Sequence, residues 1–413
     1  MENLFKKLCL CVATILLCTG IGVCTSVTAH TRGYYIATNG SDNNKGTIKK
    51  PFATIAKAQE VASSGDTVYI LGGTYKNFTI ADSDINYNYV HEITKSGITY
   101  KAYSSKDVPI FDFSNVSTSK RVAAFRIAST AKDVKFISIK VTGVPVGNQK
   151  QSECFRIEGN ATFNQVTCCN NQANGFYFTI HGKGECIRCD SYNNIGIGPS
   201  IGNTDGFGAH GDGVIFKECR AWNCSDDGYD CISSNASNTF NSCWAFNMNA
   251  GGDSNGFKAG GFGKRVITHE STVNTVKNCI AANNGAHGFY ANHQPGQAAT
   301  WSYNTSYNNK AGNFNMVECL NISTPTDIDG TREALHYNLA YKNNSLDRAN
   351  LPSQNNTNNS WNLSGSDISE NDFQSLDASQ LAKPRGPHGE LPHITFMKLT
   401  KNSKFKGLGC SAR

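Results

Sequence analysis

A short unit, a polar residue followed by Gly and an aromatic, recurs through the middle of this chain and restricts what it can fold into. It reads Asn174-Gly175-Phe176, Asp205-Gly206-Phe207, Asp227-Gly228-Tyr229, Asn255-Gly256-Phe257 and His287-Gly288-Phe289, with steps of 31, 22, 28 and 32 residues between the glycines. A second element precedes most copies, running from Cys189 to Asn193, Cys219 to Asn223, Cys243 to Asn247 and Cys279 to Asn283, with a degraded copy at Asn304 to Asn308. Self-similarity at this period means repeats that bury their apolar faces by stacking on one another. Residues sharing a repeat position then become neighbours in space: Asp205 with Asp227 and Asn255, and Asp230 with Lys258.

From about Tyr87 to Asn343 the chain is short runs of Val, Ile, Phe and Tyr punctuated by Asn and Gly, and no helical period persists. Asn170, Asn193, Asn223, Asn247, Asn283 and Asn308 fall at one repeat position. Asparagine tolerates left-handed turns and can bond to its own kind in a stack, which suits the corners of a parallel β-helix. These asparagines are therefore read as structural, and the sequons at Asn77, Asn115 and Asn160 as by-products of an Asn-rich chain. Upstream, Ala53 to Ala62 places Ile55, Ala58, Val61 and Ala62 on one helical face, a short helix expected to cap the open edge of the stack.

Lys6 and Lys7, then an apolar run from Leu8 to Leu17 and small residues up to Ala29, predict a signal peptide over residues 1–29. Processing as a lipoprotein at Cys24 is disfavoured by the bulky Val23 before it. The apolar run is too short to span a bilayer, and no later segment reaches membrane length. Residues 30–413 are expected to form one secreted, periplasmic or surface domain, with main coils over 80–345 and a loop and tail over 346–413 packed on the stack. A monomer without nucleic-acid partners is expected. Formal charge is +6, falling to +5 once Glu2, Lys6 and Lys7 leave, which suits a polyanionic partner without specifying one. Twelve of the sixteen cysteines would remain. Export makes disulfides the default, yet Cys189, Cys219, Cys243 and Cys279 share a repeat position, so mostly free, buried thiols are expected. Cys186-Ile-Arg-Cys189 lacks the second pair a zinc site needs.

Stacked strands lie ~4.8 Å apart, so Asp205 should sit over Asp227 and Asp230 over Lys258, with Asp226 joining from the same turn. Four carboxylates this close raise one another's pKa unless a cation intervenes. An all-oxygen cluster suits calcium. Strict alternation would put Asp227 on the same side as Tyr229, so the chain must bend at Gly228 or the carboxylates must occupy a corner. Lys258 follows an aromatic, between Gly256 and Gly260-Gly261. A nearby cation would depress its pKa from ~10.4 toward the range of a general base.

Asn203-Thr204-Asp205-Gly206-Phe207, Ser225-Asp226-Asp227-Gly228-Tyr229-Asp230 and Asn255-Gly256-Phe257-Lys258-Ala259-Gly260-Gly261 resemble the signature blocks of the family-nine polysaccharide lyases. The segments Ala37 to Asp42 and Pro51 to Ile55, and the tail from Pro384 to Pro392, resemble the same family. The resemblance implies an all-β, right-handed parallel β-helix acting on acidic pectic polysaccharide, pectate or rhamnogalacturonan I. It implies Ca2+ held at Asp205, Asp226, Asp227 and Asp230, and Lys258 as the base of a β-elimination that leaves a 4,5-unsaturated uronide. Thr204, Ala259 and the many cysteines depart from the family pattern without removing a catalytic group. Lys217, Arg220, Lys264 and Arg265 are candidates for holding other substrate carboxylates, and His210 and His293 for leaving-group or subsite contacts.

Two rivals stand. An inverting hydrolase like the polygalacturonases also has an Asn-Thr-Asp block and an Asp-Asp pair, but its Gly-His-Gly and Arg-Ile-Lys blocks are missing here and Asp230 and Lys258 would go unexplained. A non-catalytic glycan-binding β-helix would have no need to gather charges on successive coils.

Overall fold

The computed structural model describes residues 31–413 apart from 232–233, 235, 261–272, 293–297, 318, 322–323, 328–332, 348–350, 364–366 and 412–413. The expected signal peptide lies outside the described residues. Among these, three long sheets of twelve, ten and eleven strands run side by side. One coil shows the construction: Lys183–Ile187 in the first sheet, Asp190–Tyr192 in the second, Phe207–Ala209 in the third, and then Val214–Lys217 back in the first beside Lys183–Ile187. Neighbours pair in parallel almost throughout, the exceptions being Asp82–Ser83 against Tyr87–Ile93 and a hairpin of Cys319–Asn321 with Thr324–Asp327. This is a parallel β-helix. The coils start earlier than residue 80, because Gly33–Ile36 already pairs with Thr67–Ile70.

The aromatic of each repeat unit points inward and stacks on its equivalents. Ring centroids are 5.0 Å apart for Phe176 and Phe207, 4.9 Å for Phe207 and Tyr229, 4.6 Å for Tyr229 and Phe257, and 5.1 Å for Phe257 and Phe289. Each ring buries large apolar area, about 2–3 kcal/mol, and the stack locks the register of the third sheet. The preceding glycine is required by close approach. A Cβ on Gly228 would lie 2.6 Å from the Gly256 carbonyl oxygen and 2.9 Å from the Ala245 Cβ.

The asparagine corners form as expected. Asn170, Asn193, Asn223, Asn247, Asn283 and Asn308 all have φ between 52° and 57°. Asn193 donates to Asn170 at 3.1 Å, Asn223 to Asn193 at 2.7 Å and Asn308 to Asn283 at 2.9 Å. Among the described residues Cys189, Cys219, Cys243 and Cys279, the four of the repeat position, are free, buried thiols. The capping helix covers Ile55–Val61, with the Thr54 side chain accepting from the Lys57 N–H and with Ile55 and Ala58 buried. At the other end of the chain Phe373, Leu381, Ile394, Phe396 and Phe405 pack on Trp244, Phe246, Ile280 and Tyr307, outside the second sheet. Among the described residues no helix is long and apolar enough to cross a membrane.

Candidate active site

The third sheet carries the site because the residue after each inward aromatic faces outward. Pairing places Gly208 against Asp230 and Asp230 against Lys258. Immediately before each Gly-aromatic pair lies a second column, and it solves the problem of Asp227. Asn174 Oδ1 accepts from the Asp205 N–H at 2.7 Å, Asp205 Oδ1 from the Asp227 N–H at 3.0 Å, Asp227 Oδ1 from the Asn255 N–H at 2.8 Å, and Asn255 Oδ1 from the His287 N–H at 3.1 Å. Each side chain thus bonds the backbone of the next coil, at a corner that precedes the strand. Asp227 need not share the direction of Tyr229, and one oxygen of each aspartate is committed to the ladder.

The aspartates converge. Carboxylate oxygens of Asp205, Asp227 and Asp230 lie within 4.8 Å of one another, as do those of Asp226, Asp227 and Asp253. Lys258 Nζ is 2.7 Å from Asp253, 3.2 Å from Asp227 and 3.9 Å from Asp230. Burial, then repulsion from Asp226, Asp230 and Asp227, pushes the Asp205 carboxyl well above the usual range. Burial and Asp227 push Asp226 up to about 8. Burial also lifts Asp227 to about 6, although Lys258 opposes it. For Lys258 burial disfavours the charge, but Asp230, Asp227 and Asp253 outweigh it and hold the ammonium above its ordinary pKa. The protein's own groups thus bind the amine as a cation.

The donor set fits a hard divalent ion. Asp227 Oδ2 is buried and faces the Lys258 ammonium at 3.2 Å without an aligned hydrogen bond, and clustered carboxylates that are costly to ionise are what an oxygen-liganded cation relieves. These groups open into a cleft of about 760 Å³ lined also by Tyr87, Arg121, Gln151, Arg156, Tyr177, Asn203 and His210.

His210 is on the cleft wall, its ring 4.9 Å from that of Tyr177. Lys217 is not: it is exposed on Val214–Lys217 in the first sheet, a different face. Arg220 is also elsewhere and unavailable to a polymer. It is buried, forks onto Asp190 at 2.9 and 2.8 Å, and donates to the carbonyls of Leu381 and Lys383. It clamps the tail, together with Arg385 on the same carboxylate. Lys264, Arg265 and His293 lie outside the described residues. Arg220→Ala should therefore lower unfolding free energy by about 2 kcal/mol, since Asp190 keeps one partner. Denaturant melts would show this, and a loss limited to turnover would contradict it.

Asp253 was missed, although extending the repeat alignment three residues upstream of each glycine matches it with Asn203 and Ser225. Tyr87, Arg121 and Arg156 come from coils that lack the Gly-aromatic unit, so the alignment could not reach them.

Comparison with known proteins agrees with this architecture. The family described as "Pel9A-like, right handed beta helix region" matches residues 34–369. Pectate lyase L of Dickeya chrysanthemi is 29% identical over 404 residues, 93% of this chain and 88% of that protein. Among solved structures, a rhamnogalacturonan lyase is 32% identical with a TM-score of 0.82, covering 92% of this chain and 99% of that one. The crystal structure of pectate lyase Pel9A is 25% identical with a TM-score of 0.70, covering 91% and 90%. With a match spanning nearly all of its coils, the chain belongs to the Pel9A-like right-handed β-helix family.

Proposed function

We propose that the protein is an exported, calcium-dependent polysaccharide lyase that cuts galacturonate-containing pectic polymers by β-elimination, with Lys258 as base. The observation that carries this reading is one amine held within 3.9 Å of three carboxylates at the mouth of a long cleft. Relatives of similar length that are named pectate lyase or rhamnogalacturonan lyase support the substrate class. The charged and apolar segments before Ala29 support export.

Asp205, Asp227 and Asp230 would hold the calcium ion, with Asp226 beside them. Bound there, it would neutralise the uronate C6 carboxylate and its developing enolate-like charge, and take up the aspartate charge that keeps Lys258 protonated. Lys258 Nζ then takes the C5 proton, the C4 to glycosidic-oxygen bond breaks, and the electron pair becomes the C4–C5 double bond. The departing oxygen, reprotonated from water, ends as a hydroxyl. Asp253, bonded to Nζ at 2.7 Å, positions the amine.

Inverting hydrolysis is disfavoured by spacing. The Asp205, Asp227 and Asp230 oxygens lie within 4.8 Å of one another, closer than the about 6.5–9.5 Å that leaves room for an attacking water between inverting carboxyls. Incubation with pectate and with rhamnogalacturonan I should yield the ultraviolet absorbance of a conjugated unsaturated uronide on at least one polymer. A chelator should abolish it and added calcium restore it. New reducing ends without that absorbance would refute the reading.

A further inference from the structure

The cleft continues well past the acidic cluster and changes character. Strand pairing runs from Arg156 to Tyr177, Tyr177 to Gly208, Gly208 to Asp230 and Asp230 to Lys258. Arg156 therefore stands four coils from the base, about 19 Å at the usual strand spacing. Arg121 lines the same end. Both guanidinium groups gather on Tyr87, 4.5 Å (Arg156) and 5.6 Å (Arg121) from its ring centroid, and each donates to its hydroxyl, at 3.3 and 3.4 Å.

The acids here are already engaged. Glu158 is 2.9 Å from both Arg126 and Arg156, and Glu92 is 2.9 Å from Arg126. Glu153, 3.7 Å from Arg156, is fully buried and accepts from the Tyr87 hydroxyl, and burial raises its carboxyl pKa. Among the described residues no carboxylate lies within ion-pair distance of Arg121. Glu153 attracts Arg121 from beyond that distance, and an arginine held against an aromatic face in a cleft, with no carboxylate in contact, is a fork suited to an incoming carboxylate. Arg220, by contrast, spends its fork on Asp190 in the interior.

We propose that Arg121, with Arg156 beside it, binds a second carboxylate of the same polymer four to five coils from Lys258. This rests on the lyase reading and deepens it: the substrate must be several sugars long and carry an acidic unit at that distance. Methyl-esterified units would be poor occupants.

The test uses the full-length protein on de-esterified polygalacturonate and on a highly methyl-esterified preparation. Arg121→Gln should raise KM on the de-esterified polymer about tenfold while kcat shifts far less. The penalty should shrink on the esterified polymer, and Arg121→Lys should fall between, because it keeps the charge and loses the fork. In a Lys258→Ala background, calorimetric affinity for long oligogalacturonates should weaken by a similar factor when Arg121→Gln is added. Melting curves confirm that each variant folds. KM and affinity within twofold of the parent would overturn the subsite. If wild-type protein releases no unsaturated product from any uronan, the lyase reading falls instead, and the calorimetry decides the subsite alone.

Discussion

Lys258→Ala is expected to cut release of unsaturated product by about a thousandfold or more, within the range a positioned general base contributes. Lys258 is 5% exposed, and its amine meets Asp253, Asp227 and Asp230 at the cleft. No other lysine or arginine among the described residues lies in a coil adjacent to those carboxylates on the cleft wall. Removing the amine also strips the cluster of its protein counter-charge. The chelated variant should therefore melt below chelated wild type, and added calcium should stabilise the variant at least as much. That pairing separates lost chemistry from lost fold: a variant that binds calcium and melts cooperatively yet makes no product identifies Lys258 as the base. Activity within tenfold of wild type, measured by absorbance under saturating calcium, would remove it from that role. Lys258→Arg should not rescue, because a guanidinium stays protonated at any working pH.

Much of this is legible in the sequence, for one physical reason. In a stack of coils, equal repeat position means contact, so aligning Gly206, Gly228 and Gly256 placed Asp230 against Lys258 and Asp205 over Asp227. The asparagine corners were legible for the same reason, since one residue type served one recurring left-handed turn. Arg220 is not legible in this way. Basic charge near the repeats looked like polymer-binding surface, but Asp190 and the tail carbonyls lie far off in sequence, and nothing local announces a buried clamp. Lys217 failed differently: alternation along a strand does not say which of three sheets the strand joins. Arg121 and Arg156 stayed hidden because their coils keep the inward aromatics, Phe125 and Phe155, without the glycine that marks later repeats.

In chelator the protein should lose stability as pH rises from about 6.5 to 8, and saturating calcium should reverse the trend. Asp205, Asp226 and Asp227 all have folded pKa values above the ~3.9 of an unfolded aspartate, with Asp226 near 8 and Asp227 near 6. Across this interval the folded chain therefore holds protons that the unfolded chain has released, and stability falls with each proton withdrawn. Lys258 does not oppose this: its raised pKa contributes stability fully present below ~10.4 and lost only above it. His91, held near 3 by burial, acts in the opposite sense below about 6.5, which sets the lower limit of the window. Asp190, kept low by Arg385 and Arg220 despite its burial, has finished titrating well below it. Cation binding needs the same carboxylates ionised, so calcium gains affinity as chelated stability drops. At a thousandfold excess over Kd it should add about 4 kcal/mol at pH 8, read as a rise in melting temperature that is much smaller at pH 6.5. A melting temperature in chelator that is flat or rising over this interval, or a calcium increment independent of pH, would mean that these carboxylates do not form one ion-binding cluster.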